Sequence, residues 1–176
     1  MDLLTSKKLT STRTPLFACV DALYAQAFPW HEQRELPAKQ RALSDPHYAL
    51  EAWFDGEQFI GMSGCWAFDG YVYIEHLAVD SSLRSQGYGK RLLGQILERA
   101  PQTILEIDPL TSDIARKRLR FYESMGFFAN PWPHTHPSYH ADIADHELIV
   151  LSYPQPIAEA QYLRFNDDLC QKVMEQ

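Results

Sequence analysis

The chain has 176 residues, 45% of them hydrophobic, which is enough for one domain of ordinary size with a substantial core. Its 16 basic against 23 acidic residues give a formal charge of -7, which argues against a protein that holds nucleic acid or anionic lipid on a basic surface. Cys19, Cys65 and Cys170 are too widely spaced for a disulfide framework or a paired metal motif. The N-terminus lacks an apolar run of signal-peptide length, and no window approaches the roughly 18 apolar residues of a membrane span, so a cytoplasmic, membrane-free protein is expected.

The first residues are strand-like, and Thr14-Pro15 is an N-cap and first-turn pair that opens a helix with Phe17, Val20, Leu23, Tyr24 and Phe28 at helical spacing. Residues 29–46 mix prolines with charges and predict a short second helix. Three β-rich runs follow, Tyr48 to Phe54, Phe59 to Phe68 and Tyr71 to Val79. They are separated by Asp55-Gly56 and Asp69-Gly70, the dipeptides of tight hairpins, so the middle of the chain reads as an antiparallel meander. Arg91 to Ala100 carries Leu92, Leu93, Ile96 and Leu97 on one helical face, and Ile104 to Ile107 reads as a buried strand, which together make a crossover. A helix from Asp113 to Met125 stops at Gly126. Two more strands are expected at Phe127-Phe128 and Leu148 to Leu151, with a Pro/His/Tyr-rich loop between them. The tail from Ile157 to Val173 is expected to be helical, with Ala160, Tyr162, Leu163 and Leu169 available either to cover the sheet or to close a homodimer. The sum is an α/β (α+β) fold with a mixed, mostly antiparallel sheet, helices on both faces and one parallel crossover.

The segment Arg84-Ser85-Gln86-Gly87-Tyr88-Gly89-Lys90 lies between a strand and an amphipathic helix. Glycines at the mouth of a helix let unpaired backbone N–H groups approach an anion closely. A Rossmann turn fails because Leu92 stands where the third glycine belongs, and no Gly-Lys-Ser/Thr ending makes a Walker loop. Arg84, Gly87 and Gly89 instead match R/Q-x-x-G-x-G/A, which resembles the acetyl-CoA signature of the GNAT superfamily of N-acetyltransferases. Leu77-Ala78-Val79-Asp80 before it and Leu92-Leu93 after it resemble the flanking strand and helix. Phe121-Tyr122-Glu123-Ser124-Met125-Gly126-Phe127 resembles the family's second motif. Residues 48–127 carry this likeness within a single domain spanning 1–176. The chain departs from the pattern at Ala115, where many relatives have an asparagine, and at Arg118, where they have a small residue.

The resemblance implies acetyl-CoA as co-substrate, with Leu77, Ala78, Val79 and residues 84–90 holding it, and Tyr122 as the acid that protonates the departing thiolate. Glu75 is the odd carboxylate on an apolar strand. It is expected either to accept the amine's proton, or else to bind a cationic substrate or pair with a neighbouring cation. Strict alternation places Glu75 with Tyr71, Tyr73 and Leu77, and His76 on the opposite face. Cys65 reads as a small core residue. The loop from Pro131 to His140 is a poor metal set, lacking the spacing of one, and reads as a wall of the acceptor pocket: Trp30, Trp132 and Tyr139 give apolar surface, and His136 and Tyr139 polar contacts. The expected reaction is acetyl transfer to a primary amine, of a small molecule in the first place and of a protein or peptide in the second. The alternative of another class is a silent acyl-CoA-binding module.

Overall fold

The computed structural model describes residues 2–175. Strand β1 (Thr5–Leu9) leads to α1 (Pro15–Ala27), a 3-10 turn (Trp30–Glu32) and α2 (Leu36–Ser44). The meander is β2 (Tyr48–Asp55), β3 (Gln58–Phe68) and β4 (Tyr71–Val79). Then come α3 (Tyr88–Leu97), β5 (Gln102–Ile107), α4 (Asp113–Ser124), β6 (Phe128–Ala129), β7 (His134–His136), β8 (His146–Tyr153) and α5 (Glu159–Asp168), which runs into a π-helical turn (Leu169–Val173). The strands lie in the order β1-β2-β3-β4-β5-β8-β6, with β7 also on β8, and every pair is antiparallel except β4–β5.

The local signals act where their chemistry predicts. Thr14 accepts a hydrogen bond from the Phe17 N–H at 3.2 Å and Pro15 opens α1. Ser112 caps α4 in the same way through the Ala115 N–H. The amphipathic helices then close two cores. On one face of the sheet α1, α5 and the π-helical turn bury Val20, Phe165, Leu169 and Val173 against Trp66 and Tyr73. On the other, α3 buries Leu92, Leu93 and Ile96 against Ile60, Ile74 and Leu105.

Three expectations are corrected. The Pro/His/Tyr-rich segment contains a strand, β7, because His134 and His136 alternate inward around exposed Thr135. In the tail Tyr162 and Leu169 dock as expected, but Ala160 and Leu163 face solvent, and Phe165 and Val173 complete the stripe by which the helix covers its own sheet. The third correction is in β4. Cys65 pairs with Ile74 but Gly64 pairs with His76, so Glu75 is an extra residue, a β-bulge. The bulge resets the alternation. Beyond it Leu77 and Val79 pack with the α3 core and Ala78 with the α1 core, and His76 lies against Tyr24 and Phe28 of the α1 face, the same side as Glu75.

One close approach fixes the frame of this strand. A Cβ on Gly61 of β3 would meet the Ala78 carbonyl oxygen at 2.5 Å, a backbone atom that cannot swing aside. Gly61→Ala is expected to cost about 1–3 kcal/mol of stability, measured as a lowered urea midpoint; an unchanged midpoint would show that β4 yields freely here.

Candidate active site

Parallel strands stay together only while their ladder continues, and here it is short: β4 and β5 pair from Tyr71–Gln102 to Tyr73–Ile104 and no further. Past Tyr73, at the bulge, the strands splay. The wedge between them is a cleft of about 360 Å³, with residues 74–79 on one wall and Leu105 to Asp108 on the other. The Asp80 N–H donates back to the Ile60 carbonyl at 2.8 Å, so by alternation the Ala78 N–H also serves β3, and the N–H groups of Leu77 and Val79 are the ones turned to the cleft.

Glu75 is the anchor of one wall. Its side chain has no exposure, and Arg34 grips it in bidentate fashion, Nε to Oε2 at 3.0 Å and Nη2 to Oε1 at 3.1 Å. The Trp66 indole donates to Oε1 at 2.9 Å and the Tyr139 hydroxyl to Oε2 at 2.7 Å. Burial alone would raise the carboxyl's pKa; the Arg34 charge, a nearby His76 and the hydrogen bonds outweigh it and bring it down to about 2. Arg34 also donates to the Val173 carbonyl at 2.7 Å, so one guanidinium joins the irregular stretch before α2, β4 and the C-terminal turn. His76 donates from Nε2 to the Glu32 carbonyl at 2.8 Å, which leaves its buried Nδ1 with no partner. Burial holds this imidazole below its usual pKa against the pull of Glu75, so it is neutral near pH 7.

Across the cleft Glu106 of β5 accepts hydrogen bonds from Tyr73 and from His134 Nε2, the latter at 2.6 Å. Burial opposes its ionisation, but His136, His134 and Tyr73 together hold its carboxyl below the ordinary value. Tyr122, at the end of α4, lines the cleft between Phe121 and Phe127, and its hydroxyl makes no hydrogen bond among the described residues. Burial raises its pKa, opposed by Arg118, so the phenol stays protonated.

At the cleft's other end, Gly87 caps α3 with φ of +81°, in the left-handed region, and Ser85 takes φ of +66°. The first bond of the helix is Arg91 N–H to Gly87 O, and the N–H groups of residues 85–90 have no backbone or side-chain acceptor among the described residues. Nothing lies within 4 Å of a Cβ placed on Gly87. An uncovered row of donors at a helix N-terminus, with Arg84 in the cleft wall, fits a pyrophosphate.

The model of the acetyltransferase (GNAT) family matches residues 17–127, more than half of the chain. The chain belongs to this GNAT family. Among solved structures it is similar to a protein described as an acetyltransferase of the GNAT family from Bacteroides thetaiotaomicron, with a TM-score of 0.90 and 25% identity over 98% of this chain and 99% of that one. It also shares its fold with a GNAT acetyltransferase from Elizabethkingia anophelis with acetyl-CoA bound, with a TM-score of 0.55 and 17% identity over 86% of this chain and 98% of that one. In sequence it is 32% identical over 62 residues to YjbC of Bacillus subtilis, described as an acetyltransferase; the match covers 34% of this chain and only about a third of that relative. Membership makes acetyl-CoA the acyl donor.

With the GNAT frame in place, the positions of the remaining site residues follow. His136 and Tyr139 reach the cleft, and Tyr88 does not: its hydroxyl turns away to Asp55 at 2.7 Å. Ser85, Gln86 and Lys90 are exposed on the turn, and Gly89 faces Phe121. Trp30 is not in the cleft either. It is 56% exposed and stacks outward on His140, because its own carbonyl accepts from His140 Nε2 at 2.9 Å. Trp132 is committed elsewhere, its indole donating to the Ile157 carbonyl. The histidines of the loop each have separate partners, and no three potential ligands converge on a metal site among the described residues. Cys65 is buried with its thiol pushed up to about 12 by burial, and so is not a nucleophile. No helix of the described residues is long and apolar enough to cross a membrane. Arg34, Glu32, Glu106 and His134 escaped the sequence reading. Only the isolated basic residue between Gln33 and Glu35 offered any signal for the first, and nothing local pairs it with a strand 41 residues away.

Proposed function

We propose that the chain is an N-acetyltransferase that moves the acetyl group of acetyl-CoA to a primary amine of a small molecule by direct attack on the thioester. The observation that carries this reading is the β4–β5 wedge. One end opens on the donor-rich start of α3 and the other on a pocket walled by acidic and histidine side chains. Residues 84–90 take the pyrophosphate, and the backbone N–H groups of Leu77 and Val79 serve the thioester carbonyl as its oxygen gains charge, with Ala78 between them lining the cleft. The amine nitrogen forms its bond to the carbonyl carbon, the C–S bond breaks, and Tyr122 gives its proton to the sulfur.

Of the roles expected of Glu75, we adopt pairing with a neighbouring cation. A carboxylate with a pKa near 2 and four hydrogen-bond donors around it takes a proton from an amine poorly. We assign Glu75 to holding the wall, with Arg34, Trp66 and Tyr139, and the amine's proton to the unpartnered Nδ1 of His76.

Calorimetric titration with acetyl-CoA tests the donor end. The wild type is expected to bind saturably, and Gly87→Glu to weaken binding on the order of tenfold or more, since it combines left-handed strain with a negative charge at the phosphate position. Equal affinity in the variant would place the phosphates elsewhere. CoA release on adding amines then tests the transfer itself.

A further inference from the structure

The charges of the cleft do not balance evenly. Glu75 is neutralised by Arg34, and Glu106 is held by His134 and Tyr73. Two further carboxylates border the same space. Glu32, in the 3-10 turn, is half-buried and makes neither a side-chain hydrogen bond nor an ion pair among the described residues. Its position is nevertheless fixed, since its carbonyl is the acceptor for His76 Nε2. Asp108 stands just past the end of β5 on the opposite wall, and its ion pair is a long one, 3.7 Å to Arg118, with both side chains about half exposed. Burial first, and then the Asp108 charge, push the Glu32 carboxyl above its usual pKa. Thus two carboxylates face one space in which the guanidinium near them, Arg118, is solvent-exposed and weakly held, and the imidazoles of His31 and His136 lie beside Glu32. A second, independent feature of the same space is the Nδ1 of His76, a lone pair nine-tenths buried and without a partner.

We infer that Glu32 and Asp108 receive a second, non-reacting cationic group of the acceptor, so that the acceptor class is a diamine or longer polyamine. The inference rests on the transferase reading above. The reacting nitrogen must be neutral to attack, and two carboxylates around it would hold its proton and oppose the reaction. Glu32 and Asp108 therefore serve a charge that stays in place, while the leaving proton of the reacting amine has His76 to go to. An amino acid or a phosphorylated amine would bring a third anion beside Glu32 without finding a free guanidinium or ammonium there: Arg84 lies at the phosphate end, Arg118 is already on Asp108, and the other basic groups of the lining are imidazoles. The net charge of -7 works in the same direction by drawing cations in from solution.

The test compares α,ω-diaminoalkanes with monoaminoalkanes and ω-aminoalkanoates of the same chain lengths, following CoA release from acetyl-CoA by the full chain. The diamine is expected to exceed the monoamine in kcat/KM on the order of tenfold, through KM, with the amino acid lowest. Glu32→Gln is expected to collapse the diamine-to-monoamine ratio, and Asp108→Asn to lower it. The Glu32 carboxylate bonds to nothing among the described residues, so the first variant is expected to keep its structure. Equal use of diamine and monoamine by the wild type, or a ratio preserved in Glu32→Gln, would overturn the inference. Calorimetric diamine binding separates the two readings. Binding lost in Glu32→Gln without any CoA release would uphold the cation site and sink the transferase, whereas binding indifferent to Glu32 alongside brisk acetylation would do the reverse.

Discussion

Tyr122→Phe is expected to lower kcat by about a hundredfold to ten-thousandfold, the usual contribution of a positioned acid, and to leave acetyl-CoA affinity nearly unchanged. The side chain lies in the cleft between two aromatic neighbours, and its hydroxyl bonds to nothing among the described residues, so removing the oxygen disturbs neither packing nor a hydrogen-bond network. What the variant loses is a donor needed only when negative charge appears on sulfur. A loss confined to the transition state lowers kcat and kcat/KM together. Steady-state kinetics with calorimetry of acetyl-CoA binding separates this from a packing role: full kcat in the Phe variant, or a loss that resides in affinity, would remove Tyr122 from the chemistry.

The donor half of this site is legible in the sequence because it is local. A six-residue turn, the glycine that takes a left-handed φ and the helix behind it are contiguous, so Arg84, Gly87 and Gly89 specify a cradle by themselves. Tyr122 is legible for the same reason, from the motif that surrounds it. The acceptor half is assembled from four distant segments. Arg34 comes from an irregular stretch, Tyr139 from a loop, Val173 from the tail, and they meet around the Arg34–Glu75 pair. Periodicity gave the wrong face for His76 because a period of two assumes an uninterrupted ladder, and a single extra residue at Glu75 reverses every assignment beyond it. The bulge itself has no signature in Tyr71 to Val79: no glycine or proline marks it. The same limit applies to β7, where a proline-rich composition hides a three-residue strand held by the partners of His134 and His136 rather than by propensity.

The buried pair at the centre of this assembly makes the second large expectation. Arg34→Met should destabilise the fold by about 3–5 kcal/mol at neutral pH, because Glu75 would remain ionised and sealed from water with only the Trp66 and Tyr139 donors. Against a typical total of about 5–15 kcal/mol this is a large share. The double variant Arg34→Met/Glu75→Gln removes both charges and is expected to recover much of the loss, giving a coupling that urea midpoints of the four proteins will measure. The pH dependence carries a definite sign. Glu75 is depressed from an ordinary 4.5 to about 2, so its contribution is complete above 4.5 and disappears as the pH falls towards 2. That difference corresponds to about 3 kcal/mol for a side chain with no solvent exposure. The gap between wild type and Arg34→Met should therefore narrow steadily on acidification through this window, while a gap that is constant from neutrality to pH 3 would mean that lost packing of Arg34 over Trp66 and Tyr139, rather than charge, dominates the cost.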